Sequence, residues 1–137
     1  MVHETHSEVE TWEVAKLFAA SLKPGDVVCL EGDLGAGKTT FTQGLCAALG
    51  AKRAVTSPTF CIVSEHPSPE FMVVHMDLYR LHDEDDVIQI GWEDYLAQGA
   101  VLVVEWPDRA GTLIPADAKH VHFSYAQESA GRIITLP

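Results

Sequence analysis

The chain of 137 residues has few basic residues and contains no asparagine. Nine lysines and arginines stand against twenty acidic residues, which gives a net charge of −11. A field of that sign repels phosphodiester backbones and anionic lipid, so direct binding of DNA or tRNA by this chain alone is disfavoured. Without asparagine the chain cannot carry the N-K-x-D motif with which GTPases read guanine.

Cysteines and long apolar runs are also scarce. The three cysteines, Cys29, Cys46 and Cys61, cannot all pair, and each lies in an apolar stretch, so we expect reduced core residues. No apolar run approaches the roughly 20 residues that a membrane span needs. Residues 1–10 carry acids and histidines where a signal peptide would carry bases and leucines. We therefore expect a cytoplasmic protein without membrane contact.

The length and composition indicate one globular domain over residues 1–137. Apolar residues make up 47% of the chain, and a fold of this size buries about two-thirds of its unfolded surface, so it needs no disulfide or structural metal. Trp12 and Trp92 lie in segments with helical patterns, and we expect both in the core.

Apolar spacing predicts alternating helices and strands. Helical spacing, with cap or glycine signals, is found in residues 8–22, 38–49 and 84–97. Strand patterns occupy residues 27–30, 59–63, 71–76, 101–104, 120–125 and 132–136. This order predicts an α/β fold, a three-layer sandwich whose sheet is mainly parallel with antiparallel edge strands.

A glycine-rich segment connects the first buried strand to the second helix. Residues 32–39 read G-D-L-G-A-G-K-T and match the phosphate-loop spacing G-x-x-x-x-G-K-[ST] in the strand-to-helix context that its mechanism requires. Glycines let the backbone turn its N–H groups toward an anion, and the helix N-terminus adds its positive dipole end. Lys38 is placed to reach the β- and γ-phosphates, and the Thr39 hydroxyl to ligate Mg²⁺. The segment predicts a nucleoside triphosphate site in which the local positive potential opposes the acidic field.

Two acids follow buried strands and are candidates for the second magnesium-coordinating residue. Asp77 follows the strand at 71–76, and Glu105 follows the strand at 101–104. Parallel strands deliver such residues to the edge of the sheet that carries the loop. One would hold the metal while the other orients water or senses the γ-phosphate, and the spacing does not assign these roles. Because the guanine motif is absent, adenine is the expected base.

Four ordered strings resemble the bacterial TsaE family of tRNA threonylcarbamoyladenosine biosynthesis proteins, which are small P-loop ATPases. They are G-D-L-G-A-G-K-T-T-F (32–41), S-P-T-F (57–60), H-M-D-L-Y-R-L (75–81) and V-V-E-W-P (103–107). The resemblance implies a P-loop NTPase-like fold and a cytoplasmic ATPase that uses ATP and Mg²⁺. It also implies the TsaB and TsaD proteins as partners, with tRNA engaged only indirectly.

The resemblance implies specific roles for matching residues. Lys38, Asp77 and Glu105 match catalytic positions, and Thr39, Asp77 and Glu105 match the metal positions. Ser57, Thr59 and Trp106 match switch or partner positions, although spacing alone also allows a turn at 56–60 and core packing of Trp106. The nucleotide contacts implied are Asp33, Leu34, Gly35, Ala36, Gly37, Lys38, Thr39, Thr40 and, as a wall of the adenine site, Arg132.

Two other functions remain open on the residues alone. A small-molecule or nucleoside kinase would need an acceptor pocket and usually a basic lid, for which the chain is short and its bases few. A non-catalytic module gated by nucleotide would bind ATP without needing Asp77 or Glu105. Phosphate release by a Glu105 variant separates this module from an ATPase.

Overall fold

The computed structural model describes residues 1–32, 37–51, 62–126 and 130–137. The strands in these ranges are β1 (Val2–Thr5), β2 (Val27–Gly32), β3 (Val63–Pro67), β4 (Met72–Asp77), β5 (Val101–Glu105), β6 (Lys119–Tyr125) and β7 (Arg132–Thr135). The helices are α1 (Glu8–Ala19), α2 (Lys38–Ala48), α3 (Glu84–Gln89), α4 (Trp92–Ala97) and a 3₁₀ helix at Pro107–Leu113.

The described strands form one mixed sheet in the order β1-β7-β6-β2-β5-β4-β3. The four central strands, β6, β2, β5 and β4, are parallel, and the pairs β1-β7, β7-β6 and β4-β3 are antiparallel. The α/β prediction is confirmed and both edge strands are antiparallel as expected, but only three of the six described strand pairs are parallel, so the sheet is mixed rather than mainly parallel. Since the central strands run in one direction, β2, β5 and β4 all end at one edge.

Helices cover both faces of the sheet. The four apolar residues that begin β2 and β5 are all buried, as expected for strands packed on both sides. One core cluster joins Val28, Leu30 and Val103 to α1 and α2. The other joins alternate residues of the same strands to α3, α4 and the 3₁₀ helix. Because successive strand residues point to opposite faces, a residue two positions from Val103 lies on the α2 side.

The first two helices pack closely against each other. The Ser7 side chain caps α1 by accepting from the Glu10 amide at 3.1 Å, as the sequence pattern predicts. A β-carbon at Gly44 of α2 would lie only 2.9 Å from the Trp12 ring of α1. The Trp12 side chain lies over this glycine but remains 42% exposed, so its predicted burial is wrong, whereas Trp92 is buried. Trp12 therefore packs on Gly44 but stays partly exposed.

Several predicted boundaries change. The predicted helix at 84–97 is two helices, because Gly91 adopts φ +104° and separates α3 from α4. The structure adds a strand, β1, ahead of the first helix, which ends at Ala19 rather than residue 22. Strand β3 covers Val63–Pro67 and shares only Val63 with the predicted strand at 59–63, of which residues 59–61 lie outside the described residues. It lies at the edge of the sheet, where a proline costs no ladder hydrogen bond.

The cysteines that the structure describes are reduced core residues, as expected. Cys29 and Cys46 are buried and unpaired, and burial raises the pKa of the first thiol to about 12 and of the second to about 11. Cys61 lies outside the described residues. Within the described ranges no helix has the length and apolarity needed to cross a bilayer.

Candidate functional site

The two ends of the predicted phosphate loop lie at the edge where β2 ends and α2 begins. Residues 33–36 lie outside the described residues. Gly32 closes β2 with φ +129°, and a β-carbon there would lie 1.9 Å from the Phe123 carbonyl oxygen. Gly37 has φ +105° and occupies the N-cap of α2. Both backbone conformations favour glycine, and at Gly32 there is also no room for a β-carbon.

The N-terminus of α2 has no side-chain cap and no acidic residue in its first turn. By contrast, α1 and α3 are capped by Ser7 and Asp83, and both carry acids in their first turns. The first N–H groups of a helix lack intrahelical partners, and the dipole places positive potential there. Although the chain has twenty acids, none lies in this first turn, so the uncapped helix start is suited to bind the anionic group of a ligand.

Lys38 is a buried cation at the start of α2. Only 6% of the residue is exposed, and its Nζ donates to the Gly32 carbonyl oxygen at 3.2 Å. The ammonium also lies 5.4 Å from the centre of the Trp106 ring. No ion pair among the described residues includes Lys38. Because a buried charge is costly without a partner of opposite sign, this lysine is suited to receive an anionic group.

Glu105 ends β5 on the α2 side of the sheet, near the lysine. Its Oε2 lies 2.6 Å from Nε2 of His75 on β4, and their side chains are 14% and 21% exposed. Burial raises the pKa of Glu105, but the His75 hydrogen bond and the charges of His75 and Lys38 outweigh burial, so the pKa is lowered. The carboxylate is therefore ionised at neutral pH although it is mostly buried.

Asp77 lies opposite Glu105 in the parallel register of β4 and β5. The two carboxylates are on one face of the sheet at one edge, where like charges in register repel each other. Asp77 is exposed, and its Oδ1 accepts from the Tyr79 amide at 3.1 Å. Two acids thus lie side by side at the sheet edge where β2 also ends. Oxygen ligands in such a group suit a hard divalent cation.

Trp106 follows Glu105 directly and has φ +59°, the one positive φ among the described residues other than glycine. This backbone turns the chain into the 3₁₀ helix. The half-buried ring lies over Lys38 and 4.9 Å from the Tyr79 ring, so Trp106 joins the site rather than only the core. A left-handed tryptophan costs about 1–2 kcal/mol, which fits a residue held for a function.

Three further predicted site residues, Thr39, Thr40 and Arg132, lie along the same edge. Thr39 is exposed in the first turn of α2, and Thr40 is half-buried. Arg132 starts β7, two strands from β2, where its guanidinium lies 4.5 Å from the Tyr125 ring centre and donates to the Ala130 carbonyl oxygen at 2.9 Å. Ser57 and Thr59 lie outside the described residues, as do Asp33, Leu34, Gly35 and Ala36.

A cleft of about 430 Å³ opens beside these residues. It is lined by Gly32 and Lys38 from the flanks of the predicted phosphate loop, by Trp106, and by Asp108 and neighbouring residues of the 3₁₀ helix. This is a volume suited to a small ligand. The cleft places an open space directly beside the buried ammonium.

Comparison with known proteins identifies the family of this chain. The family model described as Threonylcarbamoyl adenosine biosynthesis protein TsaE matches residues 5–134. The chain belongs to the TsaE family.

Curated TsaE-family proteins align with most of the chain. The Bacillus subtilis tRNA threonylcarbamoyladenosine biosynthesis protein TsaE is 50% identical over 97 residues, covering 71% of this chain and 60% of that protein. Its Rickettsia conorii counterpart is 40% identical over 108 residues, covering 78% and 61%, and that of Aquifex aeolicus is 42% identical over 105 residues, covering 75% and 74%. The chain spans about 60% of the length of the first two relatives.

A solved structure extends the likeness to the fold. The crystal structure of Bacillus subtilis YdiB superposes with a TM-score of 0.79 and 36% identity, covering 99% of this chain and 83% of that chain. The mixed sheet and its helical layers are therefore shared with an experimentally determined structure.

Two side chains at this TsaE-family site were not assigned a role by sequence reasoning. His75 contacts Glu105, and Tyr79 stacks near Trp106. Both lie within the string H-M-D-L-Y-R-L. Residues two apart on a strand share a face, so the H-x-D spacing pointed to His75 beside Asp77. Nothing comparable pointed to Tyr79, because it lies past the end of the strand.

Proposed function

We propose that this chain is a P-loop ATPase domain over residues 1–137, which binds ATP with Mg²⁺ and hydrolyses it during threonylcarbamoyladenosine biosynthesis in tRNA. It acts in the cytoplasm with the TsaB and TsaD proteins. The observation that carries the proposal is the buried Lys38 ammonium, which has no ion-pair partner in the described part of the chain and lies at an uncapped helix N-terminus beside Glu105.

The residues present fit a triphosphate. The backbone N–H groups at the start of α2 and the ammonium of Lys38 are donors only, and they meet at the mouth of the cleft. Residues 33–36 supply the rest of the loop in this proposal. The chain's charge of −11 opposes anions in general, so the site works through close donors rather than a long-range field.

The same edge fits a magnesium ion. The Thr39 hydroxyl and the carboxylates of Asp77 and Glu105 are the hard oxygen donors that Mg²⁺ prefers. When bound, the ion would neutralise charge on the phosphoryl oxygens. Glu105 is the stronger candidate for direct ligation, because the His75 hydrogen bond and the charges of His75 and Lys38 lower its pKa despite burial and keep it ionised. Asp77 accepts from the Tyr79 amide and is proposed as the second acid, which holds the ion through water or orients the attacking water.

Adenine is proposed to lie farther along the edge, toward β7. Arg132 pairs in register with Thr5 of β1 and Tyr125 of β6, so these three residues come together beyond the phosphate-binding end. An arginine stacked on a tyrosine ring offers a flat surface to a base. Trp106 and the hydroxyls Ser57 and Thr59 are proposed as the residues that sense the γ-phosphate or contact a partner.

The net charge of −11 disfavours direct binding of tRNA by this chain, so protein partners are the more favourable contacts in this proposal. In this proposal the chain supplies ATP hydrolysis, and the threonylcarbamoyl transfer is carried out by TsaD. A kinase is not favoured by any described feature, because Lys38 is the only lysine or arginine among the described residues that line the cleft.

The decisive experiment measures ATP affinity and phosphate release for Glu105→Ala, with and without TsaB and TsaD. The proposal expects ATP binding to persist while partner-stimulated release and tRNA modification fall to background. Glu93→Ala, an exposed acid on α4, is the matched control and should behave as the parent. If Glu105→Ala supports modification normally, the chain is a nucleotide-gated module rather than an ATPase. If the parent does not bind ATP, the P-loop assignment is wrong.

A further inference from the structure

His75 contacts Glu105 across two neighbouring strands. Strands β4 and β5 are parallel, with His75 opposite Val103 and Asp77 opposite Glu105. His75 is therefore one alternate position behind Glu105 on the same face of the sheet. Its ring spans that diagonal and brings Nε2 to 2.6 Å from Oε2 of the carboxylate.

The direction of this hydrogen bond follows from the chemistry of the two groups. An ionised carboxylate can only accept, so Nε2 of His75 carries the hydrogen. The bond engages one oxygen of Glu105, and Oε1 has no hydrogen-bond partner among the described residues. A glutamate side chain loses considerable rotamer freedom when it is held in one geometry. Here a ring fixed on the neighbouring strand holds it.

We propose that His75 is a positioning residue that fixes Glu105 with Oε2 engaged and Oε1 available to a divalent cation. The inference rests on the proposed function, since it assigns a purpose to the pair only if this edge binds a metal with the nucleotide. His75 itself touches neither ligand. It acts through Glu105, in the way that hydrogen bonds from an outer layer orient metal-binding carboxylates.

The test compares ATP affinity with and without magnesium, measured by calorimetry. His75→Leu removes the N–H donor but keeps an apolar side chain on the strand, and His75→Gln restores a donor of similar reach. We expect His75→Leu to weaken binding in Mg²⁺ by about 10- to 100-fold. In EDTA its affinity should equal that of the parent. His75→Gln should recover most of the loss. The Mg²⁺ concentration for half-maximal phosphate release should rise in His75→Leu and return toward the parent value in His75→Gln.

His122→Leu is the matched control, because His122 is an exposed histidine on β6 of the same sheet. It should leave both affinities unchanged. If His75→Leu does not fold, His75→Gln is compared with His75→Asn, whose amide is one methylene too short to reach Glu105. We then expect weaker ATP binding in Mg²⁺ for His75→Asn than for His75→Gln, and equal binding in EDTA.

Five results would overturn the inference. Equal magnesium dependence in His75→Leu and the parent would show that Glu105 needs no such support. Equal weakening in Mg²⁺ and in EDTA, or failure of Gln to restore binding, would assign His75 a purely structural role. A parent that binds ATP equally well with and without Mg²⁺ would remove the metal site, whereas a parent that binds no ATP would overturn the proposed function as well.

Discussion

The ammonium of Lys38 lies 5.4 Å from the centre of the Trp106 ring, and this buried cation forms no ion pair with a described carboxylate. The ring stabilises the charge without neutralising it. An anion that enters the cleft therefore meets a positive charge that no side chain of the described chain has already paired.

Replacing Lys38 with methionine separates binding from stability. Lys38→Met keeps the length of the side chain and removes the buried charge, so we expect an unchanged or higher thermal midpoint. A hydrogen bond to a charged group contributes about 1.5–3 kcal/mol, and therefore ATP affinity should fall about 10- to 100-fold. Calorimetry and thermal denaturation measure the two effects. Lys16→Met, on the exposed side of α1, should change neither. A large loss of stability in Lys38→Met would show that the lysine is structural.

Substitutions at Trp106 test the left-handed backbone. Alanine and glycine both remove the ring, but only glycine adopts φ +59° without strain. We expect Trp106→Gly to be more stable than Trp106→Ala by about 1 kcal/mol, which reverses the usual preference for alanine over glycine. Urea denaturation of the two variants measures the difference. Equal stability would mean that the turn relaxes when the ring is lost.

The acid stability of the chain should depend on Glu105. Its folded pKa lies below the ordinary value of 4.5, because the His75 hydrogen bond and the His75 and Lys38 charges outweigh burial. The carboxylate therefore contributes stability above pH 4.5, and this contribution is lost as the pH falls through the folded pKa. We expect Glu105→Gln to be less stable than the parent near neutral pH. The gap in unfolding free energy should narrow as the pH falls below 4.5, and a gap that widens there would contradict the assigned pKa direction.

Replacing Gly44 with alanine tests whether the change in unfolding free energy is stabilising or destabilising. In an exposed helix interior, glycine to alanine stabilises by about 1 kcal/mol. At Gly44 the added β-carbon would lie 2.9 Å from the Trp12 ring and 3.0 Å from its Cα, so the helices must separate. We expect Gly44→Ala to destabilise by about 1–3 kcal/mol, the usual cost of overpacking. Gln43→Ala, one residue earlier on the exposed face of α2, should be neutral or slightly stabilising. A stabilised Gly44→Ala would mean that Trp12 rotates away freely.

Sequence reasoning found the elements whose signal is local. The buried runs at β2 and β5 and the cap at Ser7 lie where they were predicted, because each depends on a few adjacent residues. It missed β1 and joined α3 to α4. Strand β1 is stabilised by pairing with β7, which lies more than 120 residues away along the chain. The sequence of residues 2–5 gives no local signal of that pairing.

The candidate site shows the same division. Lys38, Asp77 and Glu105 were named from spacing and strand ends, and the structure brings them to one edge. The contacts of His75 and of Trp106 were not predicted. The first depends on the register of two strands, and the second depends on a backbone angle that tryptophan rarely adopts. Ser57, Thr59 and residues 33–36 lie outside the described residues, and their roles remain predictions.

The position of β2 in the sheet has a consequence for biosynthesis. Its two hydrogen-bonded neighbours, β5 and β6, are both made later, and the second ends only at Tyr125. The glycine-rich segment after β2 thus leaves the ribosome long before either flanking strand exists. Because this long-range pairing must come first, we expect a nascent chain to gain affinity for nucleotide only after β6 has been made. Nascent chains that end before residue 119 should therefore not retain ATP, and ATP binding would mark a chain in which both neighbours of β2 have been made.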